Sequence, residues 1–192
     1  MQLTDRQMAL IEEFALKKYR SLDDTHGADH CEKTTSIADY LARKEEANGL
    51  IVRLGALLHQ FHPEGAAEVD EFLMSIDVPT DIRQQVVHCV RCVEPTTIHT
   101  ARTLEAKVVF DADKIQTLGP YGLVREVVYL ARKLDIDFRV AFREAEKLQK
   151  QVVPLLQTKS ARFLYQTVES LSKSMFKTIE DWDSLVVITG TE

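Results

Sequence analysis

Apolar residues recur every three or four positions along most of the chain, which is the spacing of amphipathic helices. In the first segment Met8, Ile11 and Phe14 follow this spacing. Thr4 and Gln7 precede them in the form of a capping box, a reciprocal side-chain lock on a helix start. The same spacing predicts seven further helices, at residues 28–44, 50–59, 63–75, 80–93, 103–113, 121–133 and 138–149.

The C-terminal part predicts one long helix. Pro154 interrupts or starts it, because proline lacks a backbone N–H and clashes inside a helix. Residues 184–192 are rich in β-branched residues and are expected to form an extended tail. A heptad-like apolar stripe runs along the helix. We expect it to pack on the protein's own core, with a homodimer interface as the alternative. Its members are Ala161, Leu164, Val168, Leu171 and Met175.

Residues 103–113 are the one segment that also resembles a buried strand, since Val108, Val109 and Phe110 follow one another. We favour a helix because the segment runs into residues 111–114 without a breaker. Seven glycines and five prolines are few for the tight turns of a β protein. We therefore predict an all-α helical bundle, with residues 1–150 as its main domain and residues 151–192 as a C-terminal helix and tail packed on it.

Composition narrows the function classes. With 192 residues, 45% hydrophobic and 28% charged, the chain is typical of one soluble globular domain. A net charge of -6 argues against general nucleic-acid binding, which normally needs a basic excess. No apolar run approaches the roughly 18 residues of a membrane span, and the acidic start does not resemble a signal peptide. Three cysteines are too few for a disulfide framework, so we predict a cytoplasmic protein.

Histidines and carboxylates on several helices are the main candidate chemistry. His26 and His30 lie four residues apart, although Gly27 separates them. His59 ends a very apolar helix, where an unsatisfied polar ring would cost about 1–3 kcal/mol, and a metal is one way to satisfy it. Asp111 and Asp113 face nearly opposite sides of a helix, so only one can enter a given site. Imidazoles with a carboxylate suit a divalent transition metal.

The pattern His30, His59-Gln60 and Asp113 resembles the HD superfamily of metal-dependent phosphohydrolases. This resemblance implies an all-helical bundle with a metal at its centre, held by His30, His59 and Asp113. Three stretches carry it, in the order of the family, namely residues 25–34, 54–60 and 104–115, the last followed by Gly119, Gly122 and Arg125.

The sequence departs from the family at the doublet that names it, where Gln60 replaces aspartate. Glutamine is neutral and cannot act as a carboxylate base. Two interpretations follow. Either a remaining site still holds one metal, helped by His62 or His88, or the fold has been kept and the chemistry lost. Lys33 occupies a position at which arginine is common in the family. The lysine keeps the positive charge but cannot form the two parallel hydrogen bonds of a guanidinium group.

The leading hypothesis is a phosphohydrolase that acts on a small phosphorylated molecule or nucleotide. Its cofactor would be a divalent ion of Mn, Fe, Mg, Ni, Co or Zn, with Gln60 beside it. Lys33, Lys114 or Arg125 would neutralise the phosphate. The alternatives are an inactive HD-like domain that binds a ligand or partner protein, and an interaction module that dimerises through the apolar stripe.

Two weaker signals have simpler interpretations. Cys89 and Cys92 have the spacing of a zinc or redox pair, but they share one valine-rich predicted helix without a second pair. We expect them to be small core residues. Asp23 and Asp24 are expected to lie in a solvated loop, with a role as partner of a ligand histidine as the alternative.

Overall fold

The computed structural model describes residues 3–62 and 64–189, and in these residues it contains helices and no strands. The all-α prediction is therefore confirmed. The helices, numbered along the chain, are α1 (Asp5–Tyr19), α2 (Ala28–Glu45), α3 (Gly49–Leu58), α4 (Ala66–Ser75), α5 (Thr80–Arg91), α6 (Leu104–Lys114), α7 (Gly119–Leu134), α8 (Phe138–Val152) and α9 (Lys159–Thr189).

Local sequence signals fix several helix starts. The hydroxyl of Thr4 accepts from the Gln7 N–H at 3.2 Å, and the Gln7 side chain accepts from the Thr4 N–H at 2.9 Å. This reciprocal pair confirms the capping box. The Asn48 side chain accepts from the Leu50 N–H at 3.1 Å and starts α3 in a similar way. The ambiguous segment 103–113 is helical, as expected.

Helix α3 lies at the centre of the bundle, in contact with α2, α5 and α6. Gly55 allows this close approach, because a Cβ at its position would lie 2.8 Å from the Cys89 Cβ and 2.9 Å from the Val109 Cγ2. Cys89 and Cys92 are both fully buried free thiols, so they are core residues as expected. The end of α3 is therefore deep inside the protein.

A tight turn between α6 and α7 positions the second half of the site. Residues 115–117 form a 3₁₀ turn, and Gly119 follows with a φ of 74°. A Cβ on Gly122 would lie only 2.2 Å from the carbonyl carbon of Thr117. The absence of a side chain at this glycine lets α7 start beside the end of α6.

The loop before α9 is hydrogen-bonded to α6, and α9 itself packs against α2 and α7. The two carboxylate oxygens of the buried Asp111 accept from the N–H groups of Gln157 and Thr158, at 2.8 and 2.7 Å. This contact fixes the loop that leads into α9. Along the stripe Leu171 is 57% exposed, contrary to the expected packing, and the neighbouring Ser172 is buried instead.

The extended tail predicted for residues 184–192 is wrong for residues 184–189, which continue α9, and residues 190–192 lie outside the described residues. Adding a β-branched residue to an existing helix costs at most about 0.7 kcal/mol relative to alanine. Extending an existing helix also avoids the unfavourable nucleation step. The helix α9 therefore continues through residues whose β propensity predicted an extended chain.

Other boundaries differ by a few residues. The helix expected from residue 63 begins at Ala66, with Pro63 outside the described residues, and α7 begins at Gly119 rather than at residue 121. None of the helices in the described part of the chain combines the length and apolarity that a membrane span requires.

Candidate metal centre and its cavity

Three side chains from three helices meet at one point inside the bundle. The Nε2 atoms of His30 and His59 lie 3.1 Å apart, and the Asp113 Oδ1 lies 3.2 Å from the first and 3.6 Å from the second. All three residues are buried. They form the only group of three or more such donors found within the part of the chain that the structure describes.

These distances fit one shared metal ion. Metal–ligand bonds of about 2.1 Å place neighbouring donors about 3.0 Å apart in an octahedron and about 3.4 Å apart in a tetrahedron. The separations of 3.1 and 3.2 Å fall within this range, and the third, 3.6 Å, slightly exceeds it. Two imidazole nitrogens and one carboxylate oxygen also form a donor set that suits a divalent transition metal.

His59 is held in the tautomer that a metal ligand needs. Its Nδ1 lies 2.6 Å from the Ala56 carbonyl oxygen, which only accepts, so Nδ1 carries the hydrogen and donates. The Nε2 lone pair then faces His30 and Asp113. Complete burial lowers the pKa of His59 to about 3, which keeps the ring neutral at neutral pH.

Asp113 is ionised although it is buried. Burial by itself would raise the pKa of its carboxyl group, but the Lys114 ammonium, followed by the hydrogen bond with His30, outweighs burial and holds the pKa well below its ordinary value. The Lys114 Nζ lies 2.7 Å from Oδ2, so Oδ1 remains directed at the histidines. The same ammonium lies 3.6 Å from the Glu94 Oε1, and two carboxylates therefore share its charge.

Gln60 also belongs to this centre. It lies in the 3₁₀ turn His59–Phe61 that continues α3, and its Nε2 is 3.0 Å from the His59 Nε2. The residue that departs from the family pattern thus stands directly beside a candidate ligand. Its neutral amide supplies no charge to balance a cation.

A cavity of about 520 Å³ opens in front of the centre. Asp113 and Gln60 line it, while His30 and His59 lie behind them. Charged and aromatic side chains dominate the rest of its wall. They are Asp23, His26, His62, Glu94, Lys114, Arg125, Glu126, Tyr129 and Lys133.

Arg125 connects the cavity wall to the metal centre. Its Nη1 donates to the Thr25 carbonyl at 3.0 Å and lies 3.0 Å from the His30 Nδ1, while its Nη2 donates to Glu126 at 2.9 Å. Burial raises the pKa of Glu126, although Arg125 acts in the opposite direction. The turn at Gly119 and Gly122 brings this pair to the site.

The other residues singled out in the sequence are distributed differently. His62 lines the cavity, and its Nδ1 lies 3.2 Å from the Glu94 Oε1. His88 borders a separate surface depression and accepts from the Arg102 N–H at 3.0 Å. The structure does not bring Lys33 to the cavity either, because it pairs with Asp29 one turn away on the exposed face of α2.

Sequence reasoning missed several residues of the site. Asp23 and Asp24 lie in an exposed loop, as expected, and Asp24 pairs with Arg132. Asp23 also lines the cavity and lies 3.1 Å from the His26 Nδ1, which the main expectation did not include. Burial would raise the pKa of Asp23, but hydrogen bonds from Thr25 and His26 lower it to about 2. The sequence analysis also did not identify Glu94 and Glu126, which line the cavity. Only Glu126 could have been suspected, because it follows Arg125 directly in the sequence.

No protein-family model matches the sequence, and no curated protein matches it. Several solved structures, in contrast, are similar to this chain. Bacillus subtilis YpgQ in complex with ADP is 21% identical, with a TM-score of 0.74 over 92% of this chain and 94% of that one. An HD-superfamily hydrolase from Bacillus thuringiensis is 21% identical, with a TM-score of 0.71 over 93% and 97%.

A third similar structure is a predicted HD superfamily hydrolase from an uncultured Thermotogales bacterium. It is 17% identical, with a TM-score of 0.62 over 92% of this chain and 93% of that one. Both chains are covered almost completely in each comparison, so the likeness extends over the whole helical bundle. The chain therefore has the fold of these HD-superfamily hydrolases.

Proposed function

We propose that this protein is a metal-dependent hydrolase of small phosphorylated molecules, with nucleotides as the first class to test. The proposal rests mainly on the geometry of His30, His59 and Asp113, whose donor atoms lie 3.1 to 3.6 Å apart behind an open, charged cavity. The fold shared with HD-superfamily hydrolases supports the same proposal.

The trio would hold one divalent transition metal, and His62, which lines the same cavity, is the candidate for a further ligand. When bound, such an ion lowers the pKa of a water molecule and polarises a phosphoryl oxygen. The two-nitrogen, one-oxygen donor set favours Mn, Fe, Co, Ni or Zn over Mg, which prefers oxygen ligands.

The cations of the cavity would bind and orient the phosphate. Arg125 offers a planar fork suited to phosphate oxygens. Lys133 lines the wall farther out, and its ammonium pairs with the hydroxyl of Tyr129. Lys114 is already shared by Asp113 and Glu94, so its main work would be to orient the Asp113 carboxylate.

A carboxylate other than residue 60 would have to accept the proton of the attacking water, since Gln60 cannot. Glu126 is our candidate for this role. Its buried carboxyl group lines the cavity, and burial raises its pKa towards the range in which a general base works best. Glu94, held between Lys114 and His62, is the other carboxylate in place.

The size of the cavity and the neighbour solved with ADP support the choice of nucleotides. A volume of about 520 Å³ lies within the range of small-molecule sites. The exposed edge combines cations with the ring of Tyr129, a pairing suited to a phosphate chain and a base.

The test is reconstitution of metal-free protein with each candidate ion. Metal content is measured by mass spectrometry, and phosphate or pyrophosphate release is measured with nucleoside mono-, di- and triphosphates, sugar phosphates and p-nitrophenyl phosphate. We expect metal-dependent hydrolysis that is lost in Asp113→Asn. Lys33→Ala serves as the matched control, because it removes a cation outside the cavity.

Gln60 favours a second candidate, an inactive HD-like domain that binds a phosphorylated ligand or a partner protein. A folded wild-type protein that retains no metal and hydrolyses none of the substrates would replace the enzyme proposal with this one. Nucleotide binding measured by calorimetry in the same preparation would then identify the ligand class.

A further inference from the structure

The His30 ring lies between two groups that require opposite positions of its hydrogen. The Gln116 Oε1, an acceptor, is 3.3 Å from Nδ1, and the Arg125 Nη1, a donor, is 3.0 Å from the same atom. A neutral imidazole carries one hydrogen. If Nδ1 carries it, the ring donates to Gln116, and if Nε2 carries it, Nδ1 accepts from Arg125.

The orientation of the Gln116 amide follows from its other contact. The Thr34 hydroxyl lies 2.7 Å from the His30 carbonyl oxygen, which only accepts, so the hydroxyl donates there. The nearest Gln116 amide atom is 2.6 Å from the same hydroxyl. It must be the nitrogen, because an oxygen would leave the hydroxyl with two acceptors and one hydrogen. The Gln116 oxygen therefore faces His30.

Each tautomer has a different consequence for the metal centre. With hydrogen on Nδ1, the His30 Nε2 lone pair joins the donors of His59 and Asp113. With hydrogen on Nε2, that hydrogen points at the Asp113 Oδ1, 3.2 Å away, and occupies the metal position. Thr34, His30 and Gln116 are all buried, so the protein's own groups make the choice.

We propose that Gln116 is a positioning residue that selects the metal-binding tautomer of His30, and that Arg125 stabilises the opposing tautomer. The inference rests on the proposed metal site. It adds that metal affinity depends on two side chains that do not touch the ion, one favouring binding and the other opposing it.

Metal affinity is the first test, with Co²⁺ alone as the probe in titrations followed by visible absorption. Gln116→Leu removes the acceptor and should weaken Co²⁺ binding about 10- to 100-fold, the usual effect of losing the hydrogen-bond partner of a ligand histidine. Gln116→Glu keeps an acceptor beside His30, and the Thr34 hydroxyl must then turn from the His30 carbonyl to donate to the second carboxylate oxygen. This variant should bind Co²⁺ at least as tightly as the wild type.

Gln149→Leu is the matched control for loss of a buried amide. Gln149 is also buried and donates to the Gly119 carbonyl at 2.9 Å. This variant should lower the melting temperature and leave Co²⁺ affinity unchanged. An equal loss of affinity in Gln149→Leu and Gln116→Leu would make the effect structural and overturn the inference.

A double-mutant cycle isolates the role of Arg125. Arg125→Met removes the donor to His30 together with a positive charge, and the charge effect cancels in the cycle. We expect Gln116→Leu to cost less Co²⁺ affinity in the Arg125→Met background, because only the acceptors of Asp113 and His59 then favour the Nε2–H form. Equal costs in both backgrounds would show that the two side chains do not compete.

The tautomer itself is measured by nitrogen-15 NMR of the histidine side chains in metal-free protein, with His30 identified by its loss in His30→Gln. We expect the Nδ1–H form to increase in Gln116→Glu and the Nε2–H form to increase in Gln116→Leu. One tautomer throughout would refute the inference. A wild type that binds no Co²⁺ would refute the proposed function, and the NMR result would still decide the roles of Gln116 and Arg125.

Discussion

Gln60→Asp is the perturbation that bears most directly on function. The Gln60 side chain reaches to 3.0 Å from the His59 Nε2, so residue 60 is adjacent to the position where the ligands converge. The exchange turns a neutral amide into a carboxylate. The existing carboxylate of Asp113 is partly neutralised by Lys114, so the exchange adds a second negative charge to the centre.

The magnitude follows from the charge. Two unit charges about 4 Å apart attract each other by about 1 kcal/mol in water and about 4 kcal/mol at an effective dielectric constant of about 20. For a divalent ion these values double to about 2 and 8 kcal/mol. Since about 1.4 kcal/mol is tenfold, the lower value predicts at least about 25-fold tighter metal binding.

The assay compares metal affinity and phosphoesterase activity in the wild type, Gln60→Asp and Gln60→Asn. The asparagine variant has the shorter side chain without the charge. We expect affinity and activity to rise together in Gln60→Asp alone. If Gln60→Asp binds metal no more tightly than Gln60→Asn while circular dichroism shows an intact fold, the argument from charge is wrong.

A wild type that hydrolyses phosphoesters as well as Gln60→Asp would show that the missing carboxylate does not weaken the site. Gln60 would then coordinate the metal, or a histidine would replace the missing aspartate. His62→Ala tests the histidine that lines the cavity. His88→Ala is the control, because His88 borders a different depression.

Three further predictions concern the turn, the cations and pH. Gly122→Ala should destabilise the protein by about 1–3 kcal/mol, because the added carbon would lie 2.2 Å from the Thr117 backbone; an unchanged urea midpoint would contradict this. With metal at saturation, Arg125→Ala should lower kcat/KM about 10- to 150-fold through loss of a charged hydrogen bond to the phosphate, while Lys33→Ala, with equal melting behaviour, should leave it unchanged. Below about pH 6.5 the unfolded chain protonates His59, whereas the folded protein keeps it neutral down to about pH 3. Because of this residue, the free energy of unfolding should fall by about 1.4 kcal/mol for each unit by which the pH decreases between about 6.5 and about 3. Urea titrations in the presence of a chelator should show a shallower pH dependence for His59→Phe than for the wild type.

Local signals in the sequence were sufficient for most of the architecture. The capping box at Thr4 and the three-and-four spacing of apolar residues depend on neighbours within a few positions, so they can be read without the fold. The segment at residues 103–113 shows the same, because the absence of a breaker before Lys114 outweighed its strand-like run of apolar residues. The prediction of an extended chain at residues 184–189 was wrong because β propensity is a property of single residues and does not include the helix that precedes them.

The convergence of His30, His59 and Asp113 could be expected from the family resemblance and is what the structure shows. The surroundings of the trio could not be predicted. Gln116 lies 86 residues from His30, and Lys33 is partly exposed beside Asp29, although its neighbour His30 on α2 faces the site. Periodicity shows which face of a helix is buried, whereas the charges and hydrogen bonds around a ligand depend on distances that only the packing of α2, α6 and α7 sets.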